Sequence, residues 1–471
     1  MPRFNTLGLR IANLFRLFKV AISGSEKEFT TGNINRAIFL LAVPMILEML
    51  MESLFAVVDI YFVSHLGVDA ITTVGLTESI LTIVYTLAMG LSIAATAVIA
   101  RRVGEKNTEA ASHAAIQVLY LGLVISVLIT MIGIFFSKDI LMLMGASPGI
   151  VNNGYEYTAL LLQGNIVIIL LFLINGIFRG AGDAALAMRA LWLANGLNIL
   201  LCPILINGWG IIPAFGLKGA ALATFIGRGT GVCYQLFHLL KGKDLIRITR
   251  KQLGLAMDVI WSLLRIAGGA TGQMLIASAS WIFLVRIISR FGTDAVAGYT
   301  IGIRIMIFTL LPAWGMANAA SALVGQNLGA GQPDRAEVSV WKTAFYNMLF
   351  LGCMALLFWI AAPTILKLFT DQPEVIGYGV QCLRYISMGF LFYAYGMVLM
   401  QSFNGAGDTR TPLFINLIAL WLWQMPLSWF LAVYCNMGPE GVFLGVAISE
   451  STSAIIAICL FRRNTWKLVK I

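Results

Sequence analysis

The chain has 471 residues, of which 59% are hydrophobic and only 11% are charged, whereas soluble domains carry about 25% charged residues. This composition excludes an ordinary water-soluble globule, and at about 20 apolar residues for each membrane span the length suffices for a dozen spans. The net charge of +10 does not indicate a nucleic-acid partner, because no polar domain carries the basic residues.

The first predicted element is an amphipathic segment at residues 1–35. Its beginning is too basic throughout to be a cleaved secretory signal, and it is not a span. Apolar residues recur there at helical spacing while Arg16 and Lys19 project elsewhere, which is typical of a helix lying on an anionic cytoplasmic leaflet. The apolar residues of this pattern are Leu7, Ile11, Leu14, Phe15, Phe18 and Ile22. A frayed basic tail is the alternative interpretation.

Twelve apolar segments then follow one another along the chain. They cover residues 37–64, 74–100, 110–136, 155–178, 185–206, 216–240, 255–288, 295–325, 338–361, 376–402, 411–434 and 440–461. A backbone in lipid must form its hydrogen bonds internally, so apolar runs of this length indicate helices. We therefore predict an all-α integral membrane protein with twelve transmembrane helices.

The distribution of Lys and Arg predicts the orientation, because these residues are retained on the cytoplasmic side during insertion. Twenty-four of the 32 lie in alternate connections and at both termini. The intervening connections hold only Lys138, Lys218, Arg290 and Lys367. We therefore expect a multi-pass protein of the cell (inner) membrane with both termini in the cytoplasm.

An internal repeat divides the chain into two halves. Gly67 and Gly292, Gly104 and Gly329, and the turns 180–183 and 405–408 each lie 225 residues apart. Six spans per repeat keep both halves the same way up, related by a pseudo-two-fold axis along the membrane normal. The predicted units are a lobe at 36–241, a cytoplasmic linker at 242–254, a second lobe at 255–462 and a cytoplasmic tail at 463–471.

This architecture favours a transporter, because two similar lobes can rock against each other around a central cavity. A channel is the alternative, but channels commonly obtain their symmetry from separate subunits. The segment 145–149 matches GxSxG and 180–185 matches a loose GxGxxA, yet neither follows a strand, so we expect neither an enzyme nor a cofactor. The six cysteines occur singly, which argues against structural zinc and disulfides.

One long apolar run and two pairs of turns carry a family resemblance. The run is VPMILEMLMESLFAVVDIYFVSHLG at 43–67, and the turns read ARRVGEKN (100–107), VGQNLGAG (324–331), RGAGD (179–183) and NGAGD (404–408). In this combination the chain resembles the multidrug and toxic compound extrusion (MATE) family over residues 36–462. The resemblance implies two six-helix lobes and export of organic, often cationic, compounds coupled to inward flow of H⁺ or Na⁺.

Three acids share one face of the first predicted helix. Glu48, Glu52 and Asp59 project at about 0°, 40° and 20° when each residue turns the helix by 100°. Ionised residues against lipid are costly, so this face is expected to line the lobe interior or the cavity. A carboxylate in a partly dry site can exchange a proton or hold a cation, and Asp59 matches the position of an acid in the family. Acids satisfied by neighbouring helices, without a role in turnover, are the structural alternative.

The family's cation-binding members imply further groups beside Asp59. Asn198 could offer a side-chain oxygen, Ala220 a backbone carbonyl and Thr224 a hydroxyl, which are ligands that small alkali cations prefer. The family's second acid corresponds to Cys202 here, and a thiol is a poor Na⁺ ligand. We therefore favour H⁺ as the coupling ion over Na⁺ at Asp59, Asn198 and Thr224. Na⁺ binding with Glu48 or Glu52 in place of the missing acid is the alternative, and Asn198 and Thr224 could equally join helices.

Other polar or aromatic side chains within apolar segments are candidates for the cavity. Besides Glu48 and Glu52 they are Glu78, Gln273, Tyr393 and Tyr395, although aromatics at such spacing are more often packing residues. Arg228 and Glu450 occupy repeat-equivalent positions and could pair or contribute to a gate between the lobes, or extend to an interface.

The sequence thus predicts a secondary antiporter that exports organic compounds by alternating access. The nearest rival is a lipid-linked oligosaccharide flippase of related two-lobe design, whose pyrophosphate cargo would want cationic cavity walls. The expected partners are small organic substrates, the coupling cation and the lipid bilayer, without nucleic acid, and we expect a monomer.

Overall fold

The computed structural model describes residues 13, 15–24, 28–241, 246–249 and 252–471. Within these residues twelve long helical segments succeed one another: α1 (Ile34–Ser64), α2 (Val68–Gly104), α3 (Thr108–Leu143), α4 (Pro148–Gly180), α5 (Ala184–Asn207), α6 (Leu217–Lys241), α7 (Met257–Phe291), α8 (Thr293–Gly329), α9 (Pro333–Lys367), α10 (Pro373–Ser387 and Phe390–Ala406), α11 (Arg410–Tyr434) and α12 (Pro439–Phe461). Ten are long and apolar enough to cross a membrane, and the two halves of α10, bent by 60°, make an eleventh such span. With α6 the predicted twelve helices are confirmed.

The buried apolar residues form one core in each half of the chain and a smaller core between them. The first core extends from Val63 to Ala267 and the second from Leu284 to Trp466. The third joins α1 to α8 through residues such as Leu41 and Leu323. The two-lobe prediction is therefore confirmed, with α1 and α8 packed together at the seam.

Repeat-equivalent breaks in α4 and α10 reflect the internal symmetry. α4 is interrupted at Gly164 and α10 at Gly389, which lie 225 residues apart. A Cβ added at Gly164 would lie 2.7 Å from the Phe225 ring, and one at Gly389 would lie 3.0 Å from the Ala447 carbonyl oxygen. Both breaks thus occur where another helix approaches the chain too closely for a side chain.

The RGAGD and NGAGD turns end one helix and begin the next. Gly182 and Gly407 have positive φ of 85° and 88°, which glycine adopts without steric cost. Asp183 Oδ1 accepts a hydrogen bond of 3.1 Å from the Leu186 backbone N–H, and Asp408 likewise caps the start of α11. These acids therefore cap helices.

The backbones of the two lobes come into close contact at one end of the bundle, here called the terminal face. This face carries turns 105–107, 181–183, 330–332 and 407–409 and residues 465–471. A Cβ at Gly104 would overlap the Gln326 carbonyl, and one at the repeat-equivalent Gly329 would overlap the Arg101 carbonyl. Gln326 Nε2 also donates a 3.0 Å hydrogen bond to the Gly180 carbonyl. Backbone meets backbone across the seam because these positions lack side chains.

Residues 465–471 lie within the predicted cytoplasmic tail, and they contact both lobes at the terminal face. Trp466 is fully buried and stacks on Phe461 at 4.6 Å between ring centroids. Arg101 of α2 donates a 2.9 Å hydrogen bond to the Val469 carbonyl. Burial lowers the pKa of Lys467, but hydrogen bonds to Glu337 and Asp334 outweigh this effect and the net pKa is raised. The tail is thus packed against both lobes.

Residues 15–23 form the short N-terminal helix, part of the predicted amphipathic segment. Leu17, Val20 and Ala21 pack on the core at the α1–α8 seam, whereas Phe15 and Phe18 are exposed. The predicted apolar face is therefore rotated, because the helix also packs on protein. The predicted residues Leu7, Ile11 and Leu14, and part of the linker 242–254, lie outside the described residues.

Trp466→Ala should lower the thermal-unfolding midpoint of the purified protein. Removing a fully buried Trp side chain costs about 3–5 kcal/mol through lost packing and the cavity left behind. Trp261→Ala is the matched control, because Trp261 is 72% exposed. Equal midpoints for the two variants would contradict a packed tail.

Candidate functional site

The three acids of α1 face the interior of the first lobe. Glu48 is buried, while Glu52 and Asp59 are partly exposed. Side chains of α4, α5 and α6 contact them, so the shared face predicted from helical spacing is turned toward protein. Each acid meets a different set of partners, and these partners decide its chemistry.

Glu48 is held in a fully packed polar network. Asn175 Nδ2 donates a 3.1 Å hydrogen bond to Glu48 Oε1, and Arg179 lies 3.5 Å from the same oxygen. Asn175 Oδ1 in turn accepts a hydrogen bond from Gln235 Nε2, and Arg179 donates to Ser92 Oγ. Arg179 therefore balances the charge of Glu48 and also contacts α2 through Ser92.

Glu52 forms an ion pair with Arg228 of α6. The Arg228 guanidinium is 1% exposed and lies 3.0 Å from Glu52 Oε1, and Asn195 Nδ2 donates to Oε2 at 3.0 Å. The guanidinium also lies 5.2 Å and 5.5 Å from the ring centroids of Phe55 and Tyr85. Aromatic faces add to the stabilisation of a cation removed from water.

Pairing of Arg228 with Glu450, one of the alternatives that the sequence left open, does not occur. Repeat-equivalent positions are related by the pseudo-two-fold axis, so they fall in different lobes, and each side chain finds partners in its own lobe. Arg228 pairs with Glu52, and Glu450 lies near Tyr393. The sequence could not predict the Glu52–Arg228 pair, because the two residues lie on different helices and their contact depends on how α1 packs on α6.

Asp59 has the weakest partner of the three acids. Cys202 Sγ donates to Asp59 Oδ1 at 3.8 Å, and no ion pair to Asp59 is found among the described residues. Arg228 and Glu78 lie within electrostatic range of its carboxylate. Asp59 therefore retains a carboxylate whose charge no cation in direct contact neutralises.

The other predicted cation ligands lie on α5 and α6 and contact one another. Asn198 Nδ2 donates a 3.0 Å hydrogen bond to Thr224 Oγ1, which donates to the Ala220 carbonyl at 3.1 Å. Asn198 is one helical turn from Cys202, the neighbour of Asp59. Asn198, Thr224 and Ala220 thus bond to one another, and their connection to Asp59 passes through Cys202 on α5.

The remaining cavity candidates are dispersed. Glu78 is exposed on α2, and Arg304 of the second lobe lies within electrostatic range of it. Gln273 Nε2 donates to the Asn404 side chain at 3.0 Å and to the Thr409 carbonyl at 2.9 Å. Tyr393 lies near Trp314, and the Tyr395 ring lies 6.2 Å from that of Trp341.

A cavity between the lobes has a different lining from the one expected. Its walls comprise Met49, Met89, Ser92, Ile93, Thr96, Phe172 and Arg179 from the first lobe and Met274, Trp314, Asn318, Ser321 and Gln401 from the second. Among the described residues that line it, Arg179 is the charged one, and it contacts Glu48. In the sequence Arg179 begins the RGAGD turn, and its place as a basic residue at the end of an apolar run was the signal that could have marked it. Methionine and aromatic side chains suit an adaptable organic-ligand site.

Comparison with known proteins identifies the family. The model of the MatE family matches residues 44–204 and 270–430, one range in each lobe. The chain belongs to the MatE family. Among curated relatives, "Probable multidrug resistance protein NorM" of Thermotoga maritima is 24% identical over 96% of this chain and 97% of its own length. An "FAD transporter" of Shewanella oneidensis is 25% identical over 91% of this chain and 95% of its own length.

Solved structures agree with this assignment. A crystal structure of MATE in complex with MaL6 superposes with a TM-score of 0.89 and 27% identity, covering 94% of this chain and 100% of that one. An outward-facing multidrug resistance MATE family transporter gives a TM-score of 0.88 at 27% identity, covering 94% and 99%. This MatE protein is therefore a membrane transporter with the two-lobe fold and not an enzyme.

Glu52→Gln should destabilise the MatE protein, because it leaves the buried Arg228 guanidinium without its counter-charge. Breaking one partner of a buried pair costs about 3–5 kcal/mol, whereas replacing both partners by apolar residues is often neutral. We expect a lowered thermal-unfolding midpoint in Glu52→Gln and recovery in Glu52→Met/Arg228→Met. Glu156→Gln, in the exposed Lys218 pair, is the control. No difference between Glu52→Gln and this control would refute the pairing.

Proposed function

We propose that this MatE protein is a secondary antiporter of the inner membrane that exports organic compounds in exchange for H⁺, with Asp59 as the coupling residue. The observation that carries the proposal is the contrast among the α1 acids. Glu48 and Glu52 lie against Arg179 and Arg228, whereas Asp59 contacts only a thiol at hydrogen-bond range among the described residues.

This contrast matters because a carboxylate fixed to an arginine has little freedom to change its charge. A partly buried carboxylate without such a partner can take up a proton or a cation, and release it when its surroundings change. Asp59 contacts Cys202 on α5, which is one helical turn from Asn198, and Asn198 bonds Thr224 of α6. Protonation of Asp59 can therefore alter packing among α1, α5 and α6.

The neighbourhood of Asp59 favours H⁺ over Na⁺. A Na⁺ site requires several oxygen ligands. Cys202, the neighbour of Asp59, occupies the position at which the family's cation-binding members carry a second acid. The Thr224 hydroxyl donates to the Ala220 carbonyl, and the Asn198 amide nitrogen points at Thr224. Assembling a cation shell would require breaking these bonds.

The lining of the cavity between the lobes supports an organic cargo, although its volume of about 60 Å³ means that the lobes must move apart to admit one. Relatives are named for multidrug resistance, multidrug export and FAD transport. Methionine, Trp314 and Phe172 provide adaptable apolar walls. Arg179 in the cavity wall favours the alternative of an anionic cargo, such as a lipid-linked oligosaccharide. However, the contact of Arg179 with Glu48 offsets its positive charge.

The orientation follows from the basic residues, which are concentrated at the terminal face. With that face in the cytoplasm, the contacts of Gly104 and Gly329 across the seam close the cytoplasmic side. An arrangement closed on the cytoplasmic side is what an outward-facing state requires, and one similar solved structure is named outward-facing. Alternating access would separate these contacts and join the opposite ends of the lobes.

Asp59→Asn should abolish coupled transport, because the amide cannot carry the exchanged proton. The assay is ethidium uptake by purified protein in liposomes under a pH gradient without Na⁺, and in parallel under a Na⁺ gradient alone. The wild type should respond to the pH gradient, and the variant should fall to the background of empty liposomes.

Asp69→Asn is the matched control, since Asp69 is an exposed acid at the start of α2. It should transport like the wild type. Near-normal transport by Asp59→Asn would remove the coupling assignment, and a strict Na⁺ requirement in the wild type would refute the proton assignment.

Labelling of single cysteines tests the orientation. In a variant without the native cysteines, Lys138→Cys should react with an impermeant maleimide added outside intact cells, because residue 138 lies on the side opposite the terminal face. Lys106→Cys, 80% exposed at the terminal face, should react only after the cells are opened. The reverse pattern would invert the topology.

A further inference from the structure

Glu450 lies at the middle of the buried face of α12. It is the central residue of the 23 in this helix. The residues that project within about 40° of it, at 100° per residue, include Phe443, Val446, Ala454 and Ala457. These four side chains are at most 5% exposed, whereas Glu450 is partly exposed. An acid therefore faces the interior of the second lobe at mid-helix, and an opening reaches it there.

α10 packs against this part of α12 on both sides of Tyr393. A Cβ at Gly389 would lie 3.0 Å from a backbone oxygen of α12, and one at Gly396 would lie 3.1 Å from a methyl group of α12. Tyr393 lies between these glycines on the same face of α10, and it lies near Glu450. Trp314, which is near Tyr393, lines the cavity between the lobes. Two aromatic residues thus separate Glu450 from that cavity.

Glu450 has no counter-charge in the part of the chain that the structure describes. No hydrogen bond or ion pair to it is found there. The helices around it also carry long stretches without any charged residue, which are 266–285 of α7, 305–329 of α8, 390–406 of α10 and 411–434 of α11. Tyr393 and Tyr395 are the titratable side chains of the α10 stretch.

Titratable groups nearer the ends of α12 are engaged elsewhere. Glu440 accepts a 2.9 Å hydrogen bond from the Tyr385 hydroxyl, and Tyr299 stacks on an α12 phenylalanine. Arg384 donates to a carbonyl of α9, and Lys467 pairs with acids of α9 at the terminal face. These groups therefore leave Glu450 without a partner of opposite charge.

The internal repeat shows why the partner is missing. The position equivalent to Glu450 in the first lobe is Arg228, where Glu52 of α1 supplies the opposite charge at 3.0 Å. The residue 225 positions after Glu52 is Ala277 of α7, which has no charge to offer. The second lobe thus has a charged residue at the equivalent place but lacks the opposing one.

We propose that Glu450 is a second proton-binding site of this transporter, located in the second lobe. The inference rests on the proposed exchange of cargo for H⁺. An ionised acid among apolar side chains is costly, and a bound proton removes its charge. A metal cation is disfavoured, because the apolar neighbours on α12 supply no shell of oxygen ligands. Glu450 is therefore protonated in the present arrangement, and its O–H bond breaks when water from the cavity accepts the proton.

Infrared difference spectroscopy of the full-length protein in lipid tests the protonation directly. A protonated carboxyl group has a carbonyl stretch that an ionised carboxylate lacks. Spectra of acidic and alkaline samples of the wild type should differ by such a band. Glu450→Gln should lose one component of it, and Glu450→Asp should keep an equivalent component. Asp59→Asn should retain the Glu450 component, so this result stands whether or not Asp59 is the coupling residue.

Proton release on cargo binding tests the role of Glu450 in exchange. Ethidium added to the purified protein in weakly buffered solution should release protons, which a pH-sensitive dye reports. Glu450→Gln and Asp59→Asn should each release about half as many protons as the wild type, because one exchangeable carboxyl remains. The double variant should release none. Glu374→Gln, an exposed acid at the start of α10, is the control and should match the wild type.

The thermal-unfolding midpoint gives an independent check, because the amide of Glu450→Gln resembles the protonated acid. We expect the midpoint of this variant to equal that of the wild type. A midpoint lowered as in Glu52→Gln would mean that Glu450 is ionised and paired, and would overturn the proposal. An unchanged infrared band or full proton release in Glu450→Gln would also overturn it. Full release by Asp59→Asn with reduced release by Glu450→Gln would instead support Glu450 and refute the Asp59 assignment.

Discussion

A charge inside a lipid-embedded bundle must find a counter-charge, hydrogen-bond donors or a proton, and this constraint organises the first lobe. Glu48 and Glu52 each contact an arginine and an asparagine, so α1 is tied to α4, α5 and α6 through buried polar groups. Such pairs add specificity of packing more readily than stability. Asp59 has no arginine in direct contact among the described residues, and this difference is why we assign the coupling role to Asp59.

A second constraint on the structure is the close backbone contact between the two lobes. Glycines at repeat-equivalent positions let α2 and α8 approach across the seam, and residues 465–471 add hydrogen bonds between the lobes. Small residues make a helix contact that is tight but lacks interlocking side chains. A seam of this kind can separate as a rigid-body step, which is what alternating access asks of two similar lobes.

The candidate site was only partly predictable. The shared face of Glu48, Glu52 and Asp59 follows from helical geometry alone, because all three lie on one helix. The cavity lining does not, since Asn318, Gln401 and Arg179 come from three different helices. The second-lobe candidates Tyr393 and Gln273 were chosen for their chemistry, but the structure gives each a neighbour within its own lobe. Spacing along the chain cannot report which faces of separate helices meet.

Hydropathy and the 225-residue repeat determined the twelve helices, the two lobes and the RGAGD and NGAGD turns, because these features depend on local chemistry and on sequence compared with itself. Only the tertiary structure decided that Arg228 pairs with Glu52 rather than Glu450, that α4 and α10 break at Gly164 and Gly389, and that the tail is packed. The physical reason is that partner choice and close approach depend on distances between helices far apart in sequence, which local patterns do not encode.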